Sequence, residues 1–166
     1  MNQPLPSAEE LLGGVIDRLK SRLPEDPLMV GIHTGGVWFA EELHSRLGLK
    51  SSLCTLDITF YRDDFSTIGL HPQVNTSFIP EDIEDRHIIL VDDVLQTGRT
   101  IRAALNEVFS YGRPRSVLLV VLVDRGMREL PIQADICGIE LELAADEQVK
   151  LLAPDDLSLR INKKDD

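Results

Sequence analysis

No apolar run in this chain approaches the roughly 20 residues that a helix needs to cross a bilayer. The start, Met1-Asn2-Gln3-Pro4-Leu5-Pro6, lacks the basic and apolar regions of a secretory signal. Both absences point to a cytoplasmic protein with no membrane partner. Cysteine is scarce: Cys54 and Cys137 are the only two, each in apolar surroundings. That excludes a disulfide scaffold and favours buried thiols over a metal site. Basic residues are outnumbered 17 to 28, for a net charge of -11. Such an acidic surface repels polyphosphate backbones at long range, which argues against non-specific nucleic-acid binding and leaves only a local basic face open. There is no internal repeat and no linker. A length of 166 residues suits one domain with one core, spanning 1–166.

The pattern that is present alternates strands with helices. Residues 7–23 read as an amphipathic helix, with Ser7 as N-cap, Glu9 and Glu10 in the first turn, and Leu11, Leu12, Val15, Ile16, Leu19 and Leu23 at helical spacing. Gly13 and Gly14 weaken it. Leu28–Ile32 is a short apolar strand, followed by a helix from Val37 to Leu47 that Gly48 closes. Ser52–Tyr61 alternates as a second strand. Arg62–Pro80 has no helical period, and a connection of that length in a compact domain is expected to be functional or mobile. His87–Val91 is almost wholly apolar, as in a strand covered on both faces. A loop and a helix run from Asp92 to Tyr111, and Ser116–Val123 is a fourth strand. Ile132–Leu143 and Val149–Leu152 read as short late strands and Asn162–Asp166 as a polar tail. The expectation is an α/β fold with a mainly parallel central sheet flanked by helices.

In open parallel sheets, ligands bind beyond the carboxyl ends of the strands. Four such ends carry notable residues: His33-Thr34-Gly35-Gly36, Tyr61-Arg62-Asp63-Asp64, Asp92-Asp93 and Asp124-Arg125-Gly126. The third is the most informative. Two carboxylates follow an apolar strand, and Gln96-Thr97-Gly98-Arg99-Thr100 then leads into a helix. Unpaired N–H groups at a helix N-terminus suit a phosphate. Gly98 lets the backbone approach closely, and Thr97 and Thr100 add hydroxyl donors. The carboxylates would repel that phosphate, so their place is a vicinal diol or an Mg2+ ion bound to one. Phosphate plus diol is the footprint of a ribose 5-phosphate. Plainer readings stand beside this one. An acidic pair after a strand is often a solvated turn or a helix cap, a lone His33 is more often structural, Arg62 and Asp63 can pair in solvent, and Arg125 and Arg128 can be ordinary surface charge.

Ile89-Leu90-Val91-Asp92-Asp93-Val94-Leu95-Gln96-Thr97-Gly98-Arg99-Thr100 resembles the signature of type I phosphoribosyltransferases. Within them, the chain is similar to uracil phosphoribosyltransferases that in some bacteria also attenuate transcription of pyrimidine operons. The likeness covers nearly the whole chain, through Val30-Gly31-Ile32-His33-Thr34, Leu56–Asp64, Gly112-Arg113-Pro114 and Leu122–Ile132. It implies the type I fold, with a mobile loop over the site, a small C-terminal hood, and a homodimer or homotetramer. It implies that Asp92 and Asp93 hold the ribose hydroxyls, directly or through Mg2+, and that Val94, Leu95, Gln96, Thr97, Gly98, Arg99 and Thr100 cradle the 5-phosphate. His33, Thr34, Gly35 and Gly36 would form the pyrophosphate loop, with Arg62 reaching the pyrophosphate. Asp124, Arg125, Gly126, Met127 and Arg128 would border the base. The catalytic set would be Asp92, Asp93 and Arg62.

The reaction so implied joins uracil to 5-phosphoribosyl-1-pyrophosphate, releasing pyrophosphate and giving UMP. Two departures matter. Some members carry a basic side chain where this chain has Gly35. Purine enzymes place an Asp base where Gln96 stands, and glutamine cannot take a proton. The alternatives left open are an RNA-binding attenuator that senses UMP with little or no catalysis, and a phosphoribosyltransferase for another base. Arg18, Lys20, Arg22, Arg46, Arg102, Arg113 and Arg115 are the basic positions available to an RNA, and Met127 stands where some members place a histidine.

Overall fold

The computed structural model describes residues 5–58, 77–79, 82–153 and 155–163. The first element, α1 (Ala8–Arg22), begins on a capping box: the Ser7 hydroxyl accepts the Glu10 N–H, and the Glu10 carboxylate accepts the Ser7 N–H at 2.9 Å. Gly13 and Gly14 do not break it, because Leu11, Leu12, Val15, Ile16 and Leu19 bury one face. Packing outweighs about 1 kcal/mol of propensity lost per glycine.

The strands are β1 (Leu28–Ile32), β2 (Cys54–Leu56), β3 (His87–Leu95), β4 (Ser116–Asp124) and β5 (Ile136–Glu140). They form one parallel sheet in the order β2-β1-β3-β4-β5. Between them lie α2 (Gly35–Leu47) and α3 (Arg99–Ser110). Alternate residues of β3 feed opposite cores. Ile89 and Val91 face α1 and α2, with Leu12, Leu19, Phe39 and Leu43. Ile88 and Leu90 face α3, with Ile101, Ala104 and Val108. An antiparallel hairpin, β6 (Glu147–Leu152) and β7 (Ser158–Lys163), follows and sends Val149 and Leu151 into the first of these cores. This hairpin is the C-terminal hood.

Several boundaries differ from the sequence reading. The third strand does not stop at Val91. It continues to Leu95, because Asp92, Val94 and Leu95 stay in register with Val121, Val123 and Asp124 of β4. Helix α2 starts at Gly35 rather than Val37. The late strand expected over Ile132–Leu143 is only Ile136–Glu140, since the Asp135 carboxylate accepts the Leu119 N–H just before it. The polar tail begins as the end of β7. The second strand, expected over Ser52–Tyr61, is only Cys54–Leu56: Ser52, Leu53, Asp57 and Ile58 lie outside it, and Thr59, Phe60 and Tyr61 lie outside the described residues.

Candidate active site

The chain leaves β1 toward β2 on one side and leaves β3 toward β4 and β5 on the other. The sheet therefore reverses its winding between β1 and β3, and the crevice beyond such a switch point is where open α/β sheets bind ligands. Strand β1 pairs with β3 only as far as Val91. At the next residues the N-terminus of α2 takes its place against β3. A β-carbon on Gly36 would lie 2.9 Å from the Val91 carbonyl and 3.0 Å from both Cα and Oδ1 of Asp92, so only glycine allows this approach. Gly35 stands in the same way against the carboxylate of Asp93.

Asp92 is 2% exposed, which corrects the view of it as a residue beyond the strand. The parallel register holds its backbone in the sheet while its carboxylate is turned to the crevice end. Its Oδ1 accepts the Asp93 N–H at 3.0 Å, and Asp93 Oδ1 accepts the Val94 N–H at 3.0 Å. The second oxygen of Asp93 rests against Gly35. At the other side of the crevice, His33 donates its N–H to the Leu56 carbonyl at 2.8 Å, and the His33–Thr34 peptide is cis. A cavity of about 410 Å3 opens behind His33 and Thr34, bounded by Trp38, Glu41, Arg46 and Asp155.

Two segments expected in the site are laid against each other by backbone hydrogen bonds. The Leu95 carbonyl accepts the Arg125 N–H, and the Thr97 carbonyl accepts those of Glu129 and Leu130. Arg128 donates from Nη1 to the Gln96 carbonyl at 2.8 Å and from Nε to the Ile132 carbonyl at 2.6 Å. Gly98 has φ 92°, and its Cβ position faces Ile132, so the turn into α3 needs glycine on both counts. The Thr97 hydroxyl accepts the Arg99 N–H, and Arg99 pairs with Glu129.

Asp124 and Arg128 occupy one another. Arg128 binds both carboxylate oxygens, Nη1 reaching Oδ1 at 2.9 Å, and Gly126 donates its N–H to Oδ1 at 2.8 Å. Burial pushes the Asp124 carboxyl up, but the Arg128 hydrogen bonds and the Gly126 amide outweigh it and hold it below its usual range. These two side chains shape the loop rather than reach out of it. Arg125 is not surface charge: it is 6% exposed and reaches Gln96 and the hood. Met127 is exposed at the loop tip with φ 57°. Arg62, with Tyr61, Asp63, Asp64 and most of the Arg62–Pro80 connection, lies outside the described residues.

The helix ends differ in a telling way. Helix α1 has a capping box and two acids in its first turn. In α2 and α3 the N-cap residues, Thr34 and Gly98, make no side-chain cap and the first turn holds no acid, although the Thr97 hydroxyl accepts the Arg99 N–H. Their first N–H groups have no intrahelical partner, and both helices start at the crevice edge, one after β1 and one after β3. Two helix N-termini with no acid in their first turns, beside the acidic pair of β3, suit phosphate groups and a diol. Among the described residues, no three His, Cys, Asp or Glu side chains converge as a resident metal site requires. Two carboxylates fit instead an ion that keeps waters and shares its ligands with a polyphosphate. No helix among the described residues is long and apolar enough to cross a membrane.

Comparison with known proteins agrees with this geometry. The chain is 53% identical to the Bifunctional protein PyrR of Nitrosococcus oceani, over 97% of this chain and 96% of that protein. It is 54% identical to the Bifunctional protein PyrR of Pseudomonas aeruginosa, over 93% and 94%. Among solved structures it resembles a hypoxanthine-guanine phosphoribosyltransferase of Bacillus anthracis, with TM-score 0.66 and 18% identity over 86% of this chain and 85% of that one. It also resembles a purine phosphoribosyltransferase of Pyrococcus horikoshii, with TM-score 0.63 and 22% identity over 81% and 82%. These two similarities concern the fold, which is that of the type I phosphoribosyltransferases. Residues 9–156 match the phosphoribosyl transferase domain, and the chain belongs to that family.

Proposed function

We propose that this phosphoribosyltransferase acts on uracil, joining its N1 to C1 of 5-phosphoribosyl-1-pyrophosphate and releasing pyrophosphate, with the N1 proton passing to the pyrophosphate or to water, to give UMP. The observation that carries the phosphoribosyl half is the pair of helix N-termini, neither with an acid in its first turn, that start beside Asp92 and Asp93. Gln96 stands where purine enzymes place an Asp base and cannot take a proton, which argues against the purine-type mechanism.

In this reading, the backbone amides of Gln96–Thr100 at the start of α3 hold the 5-phosphate. Asp92 and Asp93 orient the ribose hydroxyls, which positions C1 for attack. The amides of Gly35 and Gly36, at the start of α2, face the departing diphosphate and stabilise charge as it develops. Gly35 leaves no side chain there, so backbone dipoles and Arg62 carry that task. Asp92 and Asp93 would hold an Mg2+ ion together with the substrate, and that ion would help to neutralise the diphosphate. The turn Asp124–Arg128 borders the base through its backbone, and the chain assembles as a dimer or tetramer.

The experiment is a panel of free bases offered with 5-phosphoribosyl-1-pyrophosphate and Mg2+, with the nucleotide products identified. Uracil should give UMP. Nucleotide from hypoxanthine or guanine but not from uracil would overturn the assignment.

A second role is favoured by the word bifunctional in the relatives' names. In this reading it is UMP-responsive attenuation of a pyrimidine operon through leader RNA. Pairing of Arg22 with Asp135, Arg46 with Glu9 and Glu42, and Arg115 with Asp85 leaves fewer free charges for RNA, so catalysis ranks first. A salt-dependent mobility shift of such a leader tests the second role.

A further inference from the structure

We infer that Arg125 is a positioning residue: it fixes the Gln96 carboxamide so that its N–H side faces the base, and the enzyme thereby selects a base presenting a carbonyl oxygen there. The inference rests on the proposed uracil reaction and adds to it the device that reads the base.

Arg125 follows β4 and is buried. Its Nη2 donates to the Glu147 carbonyl of the hood at 2.9 Å, and its Nη1 reaches Oε1 of Gln96 at 3.3 Å. Its backbone N–H is tied to Leu95, the residue before Gln96. A guanidinium has donors and no acceptor, so the amide atom facing it must be the oxygen. The orientation of a glutamine amide is usually open to a flip. Here the neighbouring arginine removes that freedom. The Gln96 nitrogen is left on the other side, where its partner is Met127 Sδ at 4.0 Å. A thioether is a weak acceptor, and Met127 is 61% exposed at the mouth of the loop. The amide therefore keeps a donor available for a better acceptor at the place where the base would lie.

Arg125 is a poor device for stability. Its buried Nε has no hydrogen-bond partner among the described residues. Buried charge with an unmet donor is commonly no better for stability than an apolar side chain of similar volume. Its geometry is better explained by what it holds. A carbonyl of uracil accepts from the Gln96 N–H. A base with an amino group on that edge would set donor against donor.

The test compares parent, Gln96→Glu, Gln96→Met, Arg125→Lys and the double variant Gln96→Met with Arg125→Lys, in steady-state assays with uracil and 5-phosphoribosyl-1-pyrophosphate varied separately. Gln96→Glu keeps a partner for Arg125 and should fold at least as stably as the parent, yet it replaces the donor with an acceptor. It should raise KM for uracil about tenfold or more, the scale of one lost hydrogen bond, and leave KM for 5-phosphoribosyl-1-pyrophosphate within about twofold. Arg125→Lys should raise KM for uracil severalfold in the parent, but add less than about twofold once Gln96 is Met, because the arginine then has no amide to orient. Unchanged uracil KM in Gln96→Glu overturns the inference, as does an Arg125→Lys effect that persists undiminished beside Gln96→Met. A parent that makes no UMP at all would instead overturn the proposed reaction on which the inference rests.

Discussion

Gly35 and Asp93 are in contact across the crevice: a β-carbon built on Gly35 would lie 2.6 Å from Asp93 Cγ and closer still to Oδ2. The absence of a side chain at the start of α2 is what lets the Asp93 carboxylate rest against the end of that helix, where its charge is favoured. The missing basic residue of the pyrophosphate loop and the position of the acidic pair are thus one feature.

Restoring a side chain at that position should therefore harm the enzyme. Gly35→Ala forces Asp93 off its hydrogen bond to the Val94 N–H, and Gly35→Arg does the same while adding a charge that would favour the diphosphate. Both should lower kcat/KM about tenfold or more, a scale reached when a positioning contact moves by about 1 Å, with thermal midpoints close to the parent. Steady-state kinetics and a melting curve check this. A rise in activity for Gly35→Arg would show that charge matters more than Asp93's place.

The Asp124–Arg128 clasp predicts a pH dependence. Its carboxyl is held below the ordinary 3.8, so the unfolded chain binds the proton more readily than the folded one. The stabilisation is fully present above about pH 4 to 5 and is lost as pH falls through the lowered folded value. Urea midpoints of the parent should exceed those of Asp124→Asn at neutral pH and converge with them in strong acid. A difference that widens on acidification would contradict the clasp.

Cys54 is fully buried, and Cys137 is half-buried as a free thiol. Burial, aided by the charge of Asp124, pushes the Cys137 thiol up, so little thiolate exists at neutral pH. Native protein should react slowly with a thiol reagent at pH 7, and both cysteines should react at once in denaturant. Fast reaction of one native thiol would place Cys137 in a more open setting than the fold gives it.

Much of this arrangement is legible in the sequence. The apolar runs at Leu28–Ile32, His87–Val91 and Ser116–Val123 mark the buried strands, and the segment Asp92–Thr100 marks the site. What escaped has physical reasons. Polar residues after an apolar run look like a turn, which places Asp92 outside its strand, whereas pairing with Val121 continues the ladder. Gly35 and Gly36 disguise the first turn of α2, since their low helix propensity hides the close approach that requires them. Strand β7 is half-exposed along its length and offers little apolar pattern. Nothing in the sequence marks Arg125 as buried, because arginine is mostly exposed and its partners Gln96 and Glu147 are distant along the chain.

The central claim is that Asp92 and Asp93 act on the ribose of the substrate and are not merely a fold element. Asp92→Asn and Asp93→Asn each keep the oxygen that accepts the following backbone N–H, so the strand should hold and the thermal midpoint should change little. Asp85→Asn is the comparison. Asp85 has φ 57°, a conformation asparagine tolerates, and among the described residues its carboxylate pairs with exposed Arg115 at 3.2 Å. The measurement is UMP formation from uracil and 5-phosphoribosyl-1-pyrophosphate with Mg2+, beside a melting curve for each protein. The account predicts that the parent and Asp85→Asn form UMP at similar rates, and that Asp92→Asn and Asp93→Asn fall about a hundredfold while remaining folded. Near-parental UMP formation by both variants, or loss of the fold in both, would contradict it.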